Sequence, residues 1–126
     1  PDSIFHYEIE NEDQRLLMDR SQIEQVLINL LKNAQEAVEN EEAPYVRLTT
    51  HLSSNKRDFI ISITDNGKGI LPEVMERIFV PFFTTKTSGS GIGLSICKQI
   101  VTLHGGTITA SSKPGDKTTF SVVFPA

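Results

Sequence analysis

The sequence predicts an α/β two-layer sandwich, a mixed β-sheet of about five strands backed by three helices. Three observations carry this. Two long segments in the middle of the chain place apolar residues at helical spacing. Short segments rich in Val, Ile, Thr and Phe hold both ends and flank those helices. No repeat, low-complexity tract or Pro/Gly/Ser linker divides the 126 residues, so one domain, 1–126, is expected.

The elements follow in chain order. Residues 4–9 alternate, with Phe5, Tyr7 and Ile9 apolar against Ile4, His6 and Glu8, which reads as an opening strand. Asp19 and Ser21 precede a periodic segment and are candidate N-caps. From 22 to about 38, Ile23, Val26, Leu27, Leu30, Leu31, Ala34, Ala37 and Val38 form one apolar stripe of a helix. The acidic stretch 39–42 and Pro44 end it. Residues 46–52 and 59–64, separated by Ser53-Ser54-Asn55-Lys56, predict a β-hairpin. Pro72 near the first helical position opens a short helix over 71–78. Residues 80–90 hold a Pro, a Gly, two Ser and three Thr and read as a loop. A second strong helix spans about 91–103, with Ile92, Ile96, Ile100, Val101 and Leu103 apolar and Gly105-Gly106 as its C-terminal stop. Strands 107–112 and 118–124 close the chain around Pro114-Gly115-Asp116.

Composition limits the function classes. Apolar residues at 38% and charged residues at 22% are ordinary globular usage, which excludes a disordered tail or a disulfide miniprotein. Apolar runs stop at four or five residues, far short of a membrane span. The net charge of −4 speaks against a general nucleic-acid binder. One cysteine cannot form an internal disulfide, which fits a reducing compartment. No signal peptide is visible and the chain begins at Pro1, so it is expected to be a fragment of a longer protein.

Four constellations could carry chemistry. Asn29 and Asn33 are i and i+4 on one helix, at the border of its apolar stripe, with Glu36 on the same edge. An amide oxygen is a hard neutral ligand, suited to Mg²⁺ that already carries phosphate oxygens; two half-exposed polar residues are the plainer alternative. Asp65-Asn66-Gly67-Lys68-Gly69-Ile70 directly follows a strand. A carboxylate there could accept from an exocyclic amine such as that of adenine, and the glycines let a flat ring approach the backbone; a simple hairpin exit fits equally. Ser88-Gly89-Ser90-Gly91-Ile92-Gly93-Leu94-Ser95 runs glycine-rich into a helix, a possible anion site. Its GxGxG spacing is neither a dinucleotide fingerprint nor a P-loop, so a flexible loop is the competitor. In Phe79-Val80-Pro81-Phe82-Phe83-Thr84-Thr85-Lys86, Phe79 and Phe82 are expected in the core, while Lys86 could reach a terminal phosphate as a point charge. Cys97 reads as a small buried residue and His104 as a helix C-cap; His6 and His51 fall on strands. No His/Cys/Asp/Glu group has zinc-ligand spacing.

In order, the chain reads NxxxN helix, strand plus DxGxGI, FxPFFTTK, GxGxGLS helix, HGGTI and a closing TTF strand. That order, from about Asp19 to Pro125, resembles the ATP-binding catalytic domain of sensor histidine kinases, within the superfamily of gyrase, the heat-shock 90 chaperone and MutL. The resemblance implies a Bergerat-type mixed sheet backed by helices, with ATP under a mobile lid. It implies Mg²⁺ on Asn33, Asn29 in the other N-box position, and adenine on Asp65. Gly67, Gly69 and Ile70 would shape the pocket, and Glu36 and Thr118 would join the nucleotide contacts. Thr85, Lys86 and Ser90 would be lid contacts, and Gly89, Gly91, Ile92, Gly93 and Leu94 would surround the phosphates. Asn29, Asn33 and Lys86 would be the catalytic set. Many relatives carry Gly-Thr before the last strand, where this chain has Lys117-Thr118.

Four residues before the Mg²⁺-binding Asn, the superfamily's true ATPases carry a water-activating Glu. Here that position is Asn29, and an amide has no useful basicity near neutral pH. The resemblance therefore implies a protein-histidine kinase module that holds Mg·ATP and passes its γ-phosphate to a histidine on a separate dimerisation domain. The implied partners are that phosphoacceptor domain and a response-regulator receiver domain, with no nucleic acid. The implied location is cytoplasmic, with anchoring of the full-length protein left open and this fragment outside the membrane. A gyrase/MutL-type ATPase clamp, an anti-sigma-type serine kinase and a regulatory nucleotide binder without transfer are the alternatives.

Overall fold

The structure, a computed structural model, describes residues 19–83 and 92–125 together with the backbone of 5–9. Five strands form one sheet in the order β1-β2-β3-β5-β4: β1 is Phe5–Ile9, β2 Val46–Leu52, β3 Asp58–Asp65, β4 Thr107–Lys113 and β5 Lys117–Pro125. β1 runs parallel to β2, and every other pairing is antiparallel. Helices α1 (Arg20–Ala37) and α3 (Gly93–Leu103) pack against each other and against the sheet, and α2 (Pro72–Met75) is a single turn between them. The α/β two-layer sandwich read from the sequence is the observed architecture.

Strand periodicity builds the core. On β3 the inward positions are Ile61, Ile63 and Asp65; on β5 they are Thr118, Phe120, Val122 and Phe124. The helices answer with Ile23, Val26, Leu30 and Ala34 on α1 and Cys97, Ile100 and Val101 on α3. Each strand's inward face is apolar along its length and turns polar at one end, where Asp65 and Thr118 stand opposite each other.

The helix ends are held by identifiable bonds. Asp19 is the N-cap of α1 and accepts from the Gln22 N–H at 3.1 Å; Ser21 lies inside the helix and donates its hydroxyl to Asp19 Oδ1 at 2.8 Å. The Gln22 N–H, more than any other group, holds the Asp19 carboxyl below its ordinary range. At the end of α3, Gly105 takes a left-handed φ of 75°; its N–H bonds the Thr102 carbonyl and the Gly106 N–H bonds the Val101 carbonyl. This pair of bonds closes the helix where the Gly-Gly signal placed its stop. His104, the C-cap, joins the two helices: Nδ1–H donates to the Ile100 carbonyl at 2.8 Å and Nε2 accepts from the Asp19 N–H at 3.1 Å.

The short helix expected over 71–78 is regular only through Met75, after which turns carry the chain past buried Ile78. Phe79 is half-buried, edge-on to Phe120 at 6.4 Å, with the Lys98 ammonium 5.5 Å over its ring. Phe82, expected in the core, is instead 77% exposed. Its backbone takes a left-handed φ of 68° as the Phe83 N–H turns back onto the Val80 carbonyl, and Phe82 falls outside the packed cluster.

Candidate functional site

The site begins as a row across the sheet. Val46, Asp65, Thr118 and Ser112 are register partners on β2, β3, β5 and β4. Asp65 is 2% exposed and Thr118 is 3% exposed, the buried polar residues among those described. Burying a carboxylate is unfavourable unless hydrogen bonds replace its water. Asp65 Oδ1 takes one from the Gly67 N–H at 2.9 Å. Thr118 Oγ1 and Ser112 Oγ lie 2.9 Å apart. Ser112 Oγ accepts from the Ile70 N–H at 2.7 Å and lies 3.0 Å from the Lys117 carbonyl, its acceptor. One hydroxyl thus ties the turn after Asp65 to the strand row. Sequence reading missed Ser112; the signal was its inward parity with Ile108 and Ala110 on β4.

The turn itself is wedged between two elements. A Cβ on Gly67 would lie 2.5 Å from the Ala37 carbonyl oxygen, at the end of α1, and 3.0 Å from Asp65 Oδ1. Gly69 has a φ of 82°, and a Cβ there would meet the Lys113 carbonyl at 2.7 Å and Pro114 at 2.8 Å. Both positions exclude a side chain, the first by contact and the second by contact and backbone conformation. Asn66, also missed, clamps the outer side: Oδ1 accepts from the Tyr45 N–H at 2.9 Å and Nδ2 donates to the Ala43 carbonyl at 2.9 Å. The glycine turn thereby joins the C-terminal end of α1, the strand row and the β4–β5 hairpin.

Along α1, Asn29, Asn33 and Glu36 are half-buried on the edge of the apolar stripe, where the spacing put them. Cys97 on α3 is fully buried, its thiol directed to the Val26 carbonyl of α1 at 3.8 Å. Among the described residues no group of three His, Cys, Asp or Glu could hold a metal ion unaided. The donor types on this edge are amide oxygens and the Glu36 carboxylate, a chemistry that fits Mg²⁺ carried in on a nucleotide's phosphates. Ile92 and Gly93 open α3, the Ile92 carbonyl accepting from the Ile96 N–H and from the Ser95 hydroxyl, each at 2.9 Å. A Cβ on Gly93 would meet no described atom within 4 Å. Leu94 packs on the core. Thr85, Lys86, Gly89, Ser90 and Gly91, with the expected mobile lid, lie outside the described residues.

A separate cavity of about 420 Å³, lined by Phe79, Pro81, Lys98, Thr102, Leu103 and neighbours, contains none of the predicted site residues.

A fixed buried acceptor beside a turn closed to side chains suits a flat heterocycle bearing an exocyclic donor. The domain is therefore of the nucleotide-binding kind. Residues 18–126 match the family described as histidine kinase-, DNA gyrase B-, and HSP90-like ATPase, and the chain belongs to that family. Among curated relatives, the signal transduction histidine-protein kinase AtoS of Escherichia coli is 40% identical over 121 residues, 96% of this chain and 19% of AtoS. The C4-dicarboxylate transport sensor protein DctB of Rhizobium meliloti is 42% identical over 106 residues, 84% of this chain and 17% of DctB. The chain thus spans about a fifth of the length of such relatives. Among solved structures, the catalytic domain of the histidine kinase ThkA superposes with a TM-score of 0.83 at 40% identity, covering 96% of this chain and 77% of that one. Full-length ShkA in complex with AMPPNP gives 0.78 at 27% identity, covering 96% of this chain and 25% of ShkA. Among the described residues no helix is long and apolar enough to cross a membrane.

Proposed function

We propose that this domain binds Mg·ATP and donates the γ-phosphate to a histidine on a separate dimerisation and phosphoacceptor domain, as the catalytic module of a two-component sensor kinase. Asp65 accepts from the adenine amine. Gly67 and Gly69 admit the ring edge to the backbone, and Ile70 borders it. Asn33, with Asn29 and Glu36 on the same edge, holds the magnesium. The opening turn of α3 at Ile92–Gly93 faces the phosphates, joined by Lys86, Ser90 and the segment around them. Bound magnesium supplies charge neutralisation on the phosphate oxygens. The chain's own contribution is positioning.

The observation that carries the reading is Asn29, half-buried at the border of the apolar stripe of α1, one turn before Asn33. A group without basicity at that place leaves water unactivated, so the phosphate waits for a nucleophile brought from outside. Exposed Val80, Phe82 and Leu103 offer apolar surface beside α3 against which the acceptor domain can dock. The receiver domain of a response regulator then takes the phosphate onward.

The test is transfer of radiolabelled γ-phosphate to an added phosphoacceptor domain. The expected label is stable to alkali and lost in acid, as phosphohistidine is. Sustained ATP hydrolysis by this domain alone, abolished in Asn33→Ala, would instead establish a clamp-type ATPase.

A further inference from the structure

Thr118 stands between Ser112 and Asp65 in the row across β4, β5 and β3. The Ser112 hydroxyl meets three groups. The Ile70 N–H comes in at 2.7 Å, the Lys117 carbonyl lies at 3.0 Å and Thr118 Oγ1 at 2.9 Å. A serine hydroxyl has one proton to give and two lone pairs to receive. The roles of two neighbours are fixed, because an amide N–H only donates and a carbonyl only accepts. The Ser112 proton therefore goes to Lys117, and one lone pair takes the Ile70 N–H. What remains for Thr118 is the second lone pair, so Thr118 donates its proton to Ser112. This assignment alone makes all three contacts hydrogen bonds, and it uses the Ser112 hydroxyl to capacity.

The consequence falls on the other side of Thr118. Thr118 is 3% exposed and directly opposite Asp65, and side chains at such positions stand about 5 Å apart. With its proton committed to Ser112, Thr118 Oγ1 turns only lone pairs toward the Asp65 side. The row then presents acceptors at both positions, a carboxylate and a hydroxyl relieved of its donor role. The exocyclic amine of adenine is a donor, and the corresponding group of guanine is a carbonyl acceptor. A Thr118 hydroxyl free to rotate would offer guanine a proton, or give it to the Asp65 carboxylate and compete with the amine.

We propose that Ser112 is a positioning residue that sets base specificity. It fixes the Thr118 hydroxyl as an acceptor and so disfavours bases with a carbonyl in place of the amine. The inference rests on the reading of Asp65 as the adenine acceptor and deepens it. Ser112 acts through Thr118 rather than on the base.

The experiment is competitive calorimetry of ATP against GTP on the 126-residue chain, with the ratio of the two affinities as the readout. A purely structural loss weakens both nucleotides together and leaves the ratio in place. Ser112→Ala should lower the preference for ATP about tenfold, the effect of one hydrogen bond. Ser112→Thr, which keeps the hydroxyl, should hold the preference within about twofold of wild type. With Thr118→Val in place, Ser112→Ala should add no further change, since the hydroxyl it controls is gone. In the unliganded wild-type chain, nuclear Overhauser contacts should place the Thr118 hydroxyl proton against the Ser112 β-protons. An unchanged ratio in Ser112→Ala, Ser112→Thr as impaired as Ser112→Ala, a further fall in the Thr118→Val background, or a Thr118 proton lying against Asp65 would each overturn the proposal. If Asp65→Ala weakens ATP binding and Ser112→Ala leaves the ratio unchanged, the positioning role alone falls. If Asp65→Ala leaves ATP binding at wild type, the base reading falls and takes the positioning role with it.

Discussion

Gly67 and Gly93 both belong to the proposed site, yet the fold treats them differently. At Gly67 a methyl would press into the Ala37 carbonyl and the Asp65 carboxylate. At Gly93 it would meet no described atom. The same contrast separates the two halves they represent. The Asp65 half is set by strand register, buried, and tied by backbone N–H groups. The α1-edge half is half-buried and is carried by side chains of one helix. The first glycine is demanded by the protein's own packing; the second meets no such demand from the described residues. The lesson is that the base end of such a site comes with the sheet, while the phosphate end is arranged on top of it.

The largest effect should come from breaking the built half. Asp65→Ala removes a charged acceptor at the centre of the proposed base recognition, and ATP affinity should fall about a hundredfold or more by calorimetry. Retention of affinity within tenfold would place the base elsewhere. Next is the glycine pair itself. Gly67→Ala should lower unfolding stability by about 1–3 kcal/mol in denaturant titrations, because α1 or the turn must shift. Gly93→Ala should leave stability within about 0.5 kcal/mol, at the first turn of a helix, and weaken Mg·ATP instead. Equal stability losses at both positions would dissolve the contrast.

The elements that sequence reading located and those it missed divide along similar lines. Periodicity exposed α1, because burial of one face leaves a regular trace. Asp65 was visible because a carboxylate beside two glycines is unusual at a strand end. Ser112 was hidden because its role depends on β4 lying beside β5 in one register, which no local pattern encodes. Phe82 was misplaced because composition says that a phenylalanine prefers the core, whereas the left-handed turn at that residue decides its direction. Cys97 was read as a small buried residue, and it lies fully buried with its thiol on the Val26 carbonyl of the facing helix.

A smaller effect sharpens the phosphate half. Asn33→Ala should remove about tenfold of the gain that Mg²⁺ gives to ATP binding and leave adenosine binding unchanged. Loss of adenosine binding as well would mean that the change spreads into the base pocket. The smallest effect is a pH dependence. The Cys97 thiol titrates near 11 in the folded chain, above its ordinary 9.0, because burial disfavours the thiolate. The folded state keeps this proton longer than the unfolded state does, so the stabilisation is complete below about pH 9 and is lost as pH rises toward 11. Thermal midpoints followed over that interval should fall, and Cys97→Ser should flatten the part due to this group.

The central claim is that a buried carboxylate chooses the base. In the proposed site Asp65 would accept from the amine of adenine, whereas guanine offers a carbonyl at the same ring position and would face it acceptor to acceptor. Competitive calorimetry of ATP against GTP in Mg²⁺ tests this most directly. The account predicts one ATP per chain and a preference over GTP of about a hundredfold, lost in Asp65→Asn. Equal affinity for the two nucleotides in the wild-type chain would contradict it.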